Sequence, residues 1–264
     1  MKAKELYHEG RLKESIAAIT EEVKRHPTNI DYRSFLCELL LISGQLERAD
    51  KQLDFIGHQD PSVMAGVALW RQLIRAEEAR KQFFVEGRLP EFLEKPDAQI
   101  EQYLQASIFL RDKDMTEAQR LLEEAEESRI PLTGDCNENM FDDFRDLDDL
   151  TANVFEVLTS NGKYYWIPYS CITELRFYAP ERPIDLTWRR ASLVVELPGA
   201  DGDVYIPTTY FSNVENLDDK YLLAQETEWL GEENEPVRGV GQKTFLVGEE
   251  AIPVMELEKI TFNK

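Results

Sequence analysis

The first half of the chain spaces its apolar residues with the period of an α-helix. In two stretches the apolar or small side chains recur every three or four residues, which places them on one helical face. They are Leu12, Ser15, Ile16, Ile19 and Val23 in the first stretch, and Leu46, Ala49, Leu53 and Ile56 in the second. Residues 31–42 between them are strongly apolar and follow Asn29, a residue suited to capping a helix. The pattern therefore predicts helices at all three places, and further ones at residues 63–85, 98–110 and 115–125.

Glycine and proline mark a repeat in this helical part. Gly10 and Gly44 lie 34 residues apart, as do Pro27 and Pro61. That period is typical of tetratricopeptide units, in which a glycine forms the turn between two helices and a proline ends the second helix. Gly87 comes 43 residues after Gly44, so the later units are divergent. Because stacked units leave a concave surface that commonly holds a peptide, the repeat favours a binding protein over a catalyst.

From about residue 133 the pattern changes to short apolar runs separated by turn residues. Residues 155–159 and 164–167 flank Asn161-Gly162, a dipeptide typical of β-hairpin turns. Further strands are predicted at residues 175–178, 192–197, 204–206, 243–247 and 255–262, and a helix at 218–229. We therefore predict an α+β protein of two domains. Residues 1–132 form a tetratricopeptide-like α-α superhelix, and residues 133–264 form a β-rich small barrel or curled sheet.

Charge narrows the range of partners. The 264 residues include 51 Asp and Glu against 30 Lys and Arg, which gives a formal net charge of −21. Such a chain is repelled by nucleic-acid phosphates and by anionic membrane surfaces, so we expect neither as a partner. A basic peptide or a basic protein surface is the natural complement, although acidity commonly serves solubility alone.

Cysteine usage and hydropathy indicate the compartment. The three cysteines show no metal-binding or C-x-x-C spacing. No apolar run approaches the roughly 20 residues of a membrane span, and the first residues lack the apolar core of a signal peptide. We expect a cytoplasmic protein without a cofactor.

An acidic run is the main candidate for chemistry. Asp142, Asp143, Asp146 and Asp149 offer oxygen ligands for a hard metal ion, which would suit a metal-assisted hydrolase. The spacing lacks the central glycine and closing glutamate of an EF-hand. The alternative interpretation is structural: the run begins a helix, where carboxylates favour the dipole, and pairs with Arg145 or a later arginine.

Other catalytic patterns are weak. The chain has three histidines, all in the first half, and no nucleotide-binding or nucleophile-elbow motif. Arg189 and Arg190 precede a predicted strand and are open to two interpretations. They bind a carboxylate of a partner, or they pair with the aspartates of residues 142–149 inside the chain. We expect no enzymatic activity and no metal site.

Several segments together resemble the ImpE/TagJ accessory proteins of bacterial type VI secretion. They are residues 141–149, 156–159, 161–168, 182–191 and 204–207, and in the N-terminal half residues 44–53 and 75–80. The motif positions within them are Asp142, Asp143, Arg145, Asp146, Asp148, Asp149, Asn161, Gly162, Tyr165, Trp166, Asp185, Trp188 and Arg189. Residues 136–139 depart from the glycine-rich segment expected there, which affects that loop.

The resemblance implies a helical repeat domain joined to a β-rich domain, without established enzymatic activity. It also implies a cytoplasmic accessory role at the contractile sheath. The partners it implies are the small sheath subunit, bound through a helix near its N-terminus, and the AAA+ ATPase that disassembles contracted sheaths. It leaves open whether the protein serves sheath assembly, disassembly or recycling.

The main hypothesis is therefore an adaptor whose concave helical face captures an amphipathic segment. In the second repeat this geometry places Ser34, Glu38, Leu41 and Ile42 near the groove. Two alternatives stand beside it. One is the metal-assisted hydrolase of the acidic run, and the other is a structural component that stays bound to the secretion apparatus.

Overall fold

The first half of the protein consists of helices that pack in antiparallel pairs. The computed structural model describes residues 2–197, 199–214 and 216–263. The helices are α1 (Lys2–His8), α2 (Leu12–Arg25), α3 (Ile30–Ile42), α4 (Leu46–Gln59), α5 (Met64–Glu86), α6 (Ala98–Asp112), α7 (Met115–Glu127) and the short α8 (Asp219–Leu222). The predicted helices of the first half are thus present, within a few residues of the expected bounds.

The turns between paired helices explain the repeated glycines. Gly10 and Gly44 have φ angles of 75° and 69°, a backbone region that glycine adopts without the steric cost of a Cβ. Lys113 takes the equivalent place between α6 and α7 with φ 62°. Asn29 caps α3, because its side chain accepts a hydrogen bond from the Tyr32 amide at 2.9 Å. Helical pairs are therefore observed, whereas their assignment to the tetratricopeptide class stays a prediction.

The second half is built from antiparallel strands. They are β1 (Gly134–Cys136), β2 (Asn139–Phe141), β3 (Phe144–Asp146), β4 (Val154–Thr159), β5 (Tyr164–Pro168), β6 (Ile172–Phe177), β7 (Trp188–Val195), β8 (Gly202–Pro207), β9 (Thr227–Leu230), β10 (Arg238–Gly241), β11 (Thr244–Val247), β12 (Glu250–Pro253) and β13 (Lys259–Phe262). The predicted hairpin at Asn161-Gly162 is confirmed as β4 and β5, with Val154 opposite Pro168 and Leu158 opposite Tyr164.

The strands in the described part of the chain form three sheets. The largest has eight strands in the order β2-β1-β13-β6-β7-β8-β4-β5, the second is β12-β11-β3, and the third is the hairpin β9-β10. The large sheet is open, with β2 and β5 at its edges, so the small closed barrel named among the expectations is wrong. Beside β5, the Glu91 amide donates to the Tyr164 carbonyl at 2.8 Å and the Trp166 amide donates to the Glu91 carbonyl at 3.1 Å.

One hydrophobic core runs from the helices into the sheet. Buried side chains of α2 to α7 pack with Val154, Leu158, Trp166 and Trp188 of the sheet half in one cluster. A second cluster, rich in phenylalanine, lies within the sheet half around Phe144, which stacks on Phe245 at 5.4 Å between ring centroids. A division at residues 132/133 stays a prediction, and the apolar packing continues across it.

Three local predictions are wrong in whole or in part. The strand expected at residues 255–262 covers only Lys259–Phe262, because Val254–Glu256 form a 3-10 helix. A helix was expected at residues 218–229, but α8 ends at Leu222 and residues 227–230 form β9. The acidic run was expected to begin a helix, but its centre is the strand β3, followed by a 3-10 helix at Asp149–Thr151.

Candidate functional site

A buried charge network joins the helical half to the sheet half. Arg80 of α5 donates to both carboxylate oxygens of Glu156 on β4, at 2.9 and 3.1 Å. Glu156 also accepts from the Tyr164 hydroxyl at 2.6 Å and lies 3.0 Å from the ammonium of Lys243. Lys243 in turn contacts Asp146 at 3.0 Å. Because each charged side chain contacts one of opposite charge, the cost of burying these charges away from water is offset.

The pKa values of the two carboxyl groups move in opposite directions. Burial on its own raises the pKa of Glu156, but the charges of Arg80 and Lys243 outweigh it and hold that pKa well below its usual range. Burial raises the pKa of Asp146, a shift that Lys243 only partly offsets and that the neighbouring Asp148 reinforces. Glu156 is therefore the firmly ionised member of the network.

Both motif tryptophans belong to this network. The Trp166 indole donates to the Tyr164 hydroxyl at 2.5 Å, and the Trp188 indole donates to Glu77 at 3.0 Å. Glu77 is also 3.0 Å from Arg80, so the helix α5 is tied to three strands. These contacts give the tryptophans a structural role at the seam between the halves.

The acidic run is held by protein donors. Arg129 contacts Asp143 through two bonds of 2.5 and 2.6 Å. The Tyr210 hydroxyl donates to Asp146 at 2.6 Å. The other pairs are Arg238 Nε with Asp148 at 2.9 Å and Arg145 with Asp149 at 2.9 Å. The acidic run does pair with Arg145 and with a later arginine, Arg238, as the structural interpretation expected. The run does not begin a helix.

The geometry offers no metal centre in the described ranges 2–197, 199–214 and 216–263. There, no three or more His, Cys, Asp or Glu side chains are placed to hold a metal ion together. Asp142 is exposed, and Asp146 is buried beneath Lys243 and Tyr210. The carboxylates of the run are held by different partners, namely Arg129, Tyr210, Arg238 and Arg145.

The two arginines after Trp188 do not pair with the acidic run. Arg189 is buried and donates to the carbonyls of Tyr178 and Val254, at 3.2 and 2.6 Å. Arg190 pairs with Asp203 on the neighbouring strand β8. The predicted pairing with residues 142–149 is therefore wrong, because β7 faces β6 and β8 at these positions.

The inner face of α3 is covered by the chain itself. Glu38 is buried; it accepts from the Ile184 amide at 3.3 Å and pairs with Arg182 at 2.5 Å. These partners belong to the 3-10 helix Pro183–Leu186 and its first flanking residue. Leu41 and Ile42 are also buried, at 1% and 5% exposure. The expectation of an open groove at these three residues is corrected.

Ser34 has a different position. It lines an open depression of about 670 Å³ at the start of α3, together with Tyr7, Tyr32 and Arg182. A partner-binding role for Ser34 stays a proposal. Burial raises the pKa of Glu38, which lies at the inner end of the same depression and is only partly compensated by Arg182.

The remaining motif residues shape loops. Asp185 accepts from the amides of Glu181 and Arg182, at 2.8 and 2.9 Å, and so fixes the 3-10 helix over α3. Asn161 accepts from the Thr159 hydroxyl at 2.5 Å. Gly162 has φ 84°, and a Cβ there would come within 2.5 Å of Gln72 on α5. Tyr165 is half-buried at the edge strand β5.

A second open surface lies where the two halves meet, and we call it the seam groove. It has a volume of about 550 Å³. The end of α5, the end of α6 and the start of α7 form one wall, and β9, β10 and the loop between them form the other, with residues 211–214 between the walls. Its apolar lining includes Phe84, Val85, Leu110, Met115, Phe211, Val214, Leu230 and Val240.

Sequence reasoning missed the seam groove and the buried charge network. Arg80, Glu156 and Lys243 were not singled out, although a glutamate inside the apolar run of residues 154–158 signals a buried charge that needs a partner. For the groove no local signal exists, because its walls come from residues more than 100 positions apart.

Among the described residues, no helix is long and apolar enough to cross a membrane.

The fold and its contacts define a class of protein. It is an α+β protein whose helical half is held by buried charges against an open antiparallel sheet, and its motif residues lie in the core and in loops.

Comparison with known proteins identifies the family. The model of the family described as ImpE protein matches residues 138–261. The type VI secretion system accessory component TagJ of Pseudomonas aeruginosa is 32% identical over 263 residues, which cover 100% of this chain and 92% of TagJ. The crystal structure of protein VPA1032 from Vibrio parahaemolyticus superimposes with a TM-score of 0.93 at 27% identity, and covers 100% of this chain and 98% of that one. The chain belongs to the ImpE/TagJ family.

Proposed function

We propose that this protein is a non-enzymatic accessory component of a type VI secretion system that acts by binding other proteins. The observation that carries the proposal is the similarity to TagJ, which extends over the whole chain at 32% identity. A similarity of that length and level supports a shared role in the same kind of apparatus, and with it a cytoplasmic location.

The positions of the motif residues support binding over catalysis. Asp146, Trp166 and Trp188 are buried at 1% exposure or less, and their polar atoms are taken by protein partners. A catalytic group must reach a substrate, whereas these side chains hold the two halves in a fixed relation. The motif residues therefore keep the two halves in one arrangement, which a protein-binding surface requires.

We further propose the small sheath subunit as the partner, bound through a helix near its N-terminus, with the sheath-disassembling AAA+ ATPase as a second contact. The resemblance to the family is the basis for both partners. Glu38, Leu41 and Ile42 are only 4%, 1% and 5% exposed and so offer little surface to a partner. We therefore place the partner helix at a more exposed surface.

A pull-down with purified proteins tests the proposal. The full chain is expected to retain the small sheath subunit and to lose most of it when the N-terminal helix of that subunit is deleted. Equal recovery of both forms would remove the proposed binding mode. Adding the ATPase to the same experiment shows whether the chain holds both partners together.

The metal-assisted hydrolase is separated from the accessory role by a simple measurement. A metal bound to native carboxylates raises the melting temperature by mass action. We expect no change with millimolar magnesium, manganese or calcium, since four of the aspartates are bound by protein donors. A rise that Asp143→Asn and Asp149→Asn abolish would support the hydrolase instead.

A further inference from the structure

The seam groove exposes apolar side chains that soluble proteins normally bury. Val85 is 47% exposed, Val214 51% and Leu230 43%, and all three line the groove. Trp229 and Val237, adjacent to lining residues in the chain, are 40% and 41% exposed. Single exposed apolar residues are ordinary, but a set gathered in one concave surface marks a place where another molecule binds.

The walls of the groove are firmly held, so it is preformed. Phe84 of α5 stacks on Phe211 with ring centroids 4.6 Å apart and an interplanar angle of 6°. The opposite wall is fixed by the acidic run, since Arg238 donates to Asp148 at 2.9 Å. A rigid site loses little conformational entropy when a partner binds.

The backbone of the wall favours a helix as the occupant. An extended peptide would bind by adding a strand to an unpaired edge. The amides of Val237 and Gly239 instead donate to Asp149 and Asp148, at 2.7 and 2.9 Å. On the β10 side of the hairpin these amides are therefore taken, and that side offers side chains, which an amphipathic helix recognises through apolar residues spaced three and four apart.

Charges at the two rims complement a helix with unlike flanks. Arg111 and Lys113 lie on the helical wall. Arg111 donates to the Phe83 carbonyl at 3.1 Å and to the Ser107 hydroxyl at 3.2 Å, so its charge is not neutralised by a carboxylate there. Glu235 lies on the other wall, beside the exposed Glu232 and Glu233. The charged lining is thus basic on the helical wall, where the exposed Asp112 and Asp114 flank Lys113, and acidic at Glu235 on the other wall.

We propose that the seam groove binds an amphipathic helix of a partner protein. The apolar stripe of that helix packs on Val85, Val214 and Leu230, its acidic flank faces Arg111 and Lys113, and its basic flank faces Glu232, Glu233 and Glu235. This inference rests on the proposed function, because the accessory role supplies the partner, and it names the surface that the partner uses.

Isothermal titration of the full chain with the small sheath subunit tests this surface. Val85→Glu and Leu230→Glu place a charge against the apolar stripe, so each is expected to weaken binding at least tenfold. Lys113→Glu and Glu233→Lys change the rims, where solvent screens the charges, and are expected to weaken binding about threefold. Circular dichroism and the melting temperature verify that each variant is folded.

Ile130→Glu and Met140→Glu are the matched controls, because these side chains are 79% and 85% exposed and lie outside the groove. They are expected to leave binding unchanged. Unaltered binding by the groove variants would overturn the inference while the proposed function stands. No binding by the unaltered chain would overturn both. A dimer of the free chain that the groove variants dissociate would show a second copy as the occupant and would also overturn it.

Discussion

Glu156 is a buried carboxylate in contact with two positive charges. It lies between the guanidinium of Arg80 and the ammonium of Lys243, with 2% of its surface exposed. Removing one member of such a network leaves a buried charge without compensation, which costs more than the network contributes over an apolar core. Glu156 therefore controls whether the helical half stays docked.

Glu156→Gln is expected to lower the free energy of unfolding by about 3 kcal/mol, because Arg80 and Lys243 lose their shared counter-ion. Urea unfolding at pH 7 measures the change. Glu124→Gln, at a half-exposed position on α7, serves as the control and is expected to change stability by less than about 0.5 kcal/mol.

The stability difference between the unaltered chain and Glu156→Gln is expected to depend on pH. The folded pKa of Glu156 is depressed, so its ionised form stabilises the fold above the unfolded pKa of about 4.3, and that contribution is lost as the pH falls. The stability difference between the unaltered chain and Glu156→Gln should therefore be full at pH 7 and shrink below about pH 4. A difference that grows on acidification would contradict the assigned charge state.

At the scale of elements, the hairpin β9-β10 depends on the acidic run. Asp148 is buried and accepts from the Arg238 side chain and from the amides of Gly239 and Leu150, at 2.9, 2.9 and 3.0 Å. Asp149 accepts from the Val237 amide at 2.7 Å. Two adjacent carboxylates thus position one whole wall of the seam groove.

Asp148→Asn is expected to loosen this wall, because the amide keeps one acceptor oxygen and loses the charge that holds Arg238. Hydrogen exchange followed by mass spectrometry should show faster exchange at residues 227–241 and unchanged exchange in α5. Asp142→Asn, at the exposed start of the same run, is the control. Equal protection of the hairpin in both variants would show that Asp148 does not anchor it.

The local sequence pattern predicted most helices and strands. It failed where contacts between distant parts of the chain determine the secondary structure. The stripe from Leu46 to Ile56 and the Asn161-Gly162 turn are signals within a few residues, and both predictions hold. Residues 218–229 carry helix-forming leucines, yet Thr227 pairs with Gly241 across the hairpin. In the acidic run, Asp146 pairs with Phe245, which lies about a hundred residues later. Neither strand has a signal in its own sequence.

At the scale of the whole molecule, the covered inner face of α3 is the main departure from the expectation. Glu38 meets Arg182 and Ile184, 144 and 146 residues further along the chain. Helical periodicity shows which residues line an inner face, but it does not show whether the same chain fills it. The groove predicted at Leu41 and Ile42 therefore became part of the core.

Because one apolar core joins α2 to α7 with Val154, Leu158 and Trp188, the two halves are expected to unfold together. Differential scanning calorimetry should show a single transition with equal calorimetric and van't Hoff enthalpies. Two separate transitions, or a stable isolated fragment of residues 1–132, would indicate independent domains.

Site-specific photo-crosslinking to the small sheath subunit measures most directly where the partner binds. A photoreactive amino acid is placed in turn at Val85, at Leu230, at Ser34 and at the exposed Met140. Probes at Val85 and Leu230 are expected to capture the N-terminal helix of the sheath subunit, whereas the probe at Met140 is expected to capture nothing. Capture from Ser34 with none from Val85 or Leu230 would place the partner at the start of α3 and contradict binding in the seam groove.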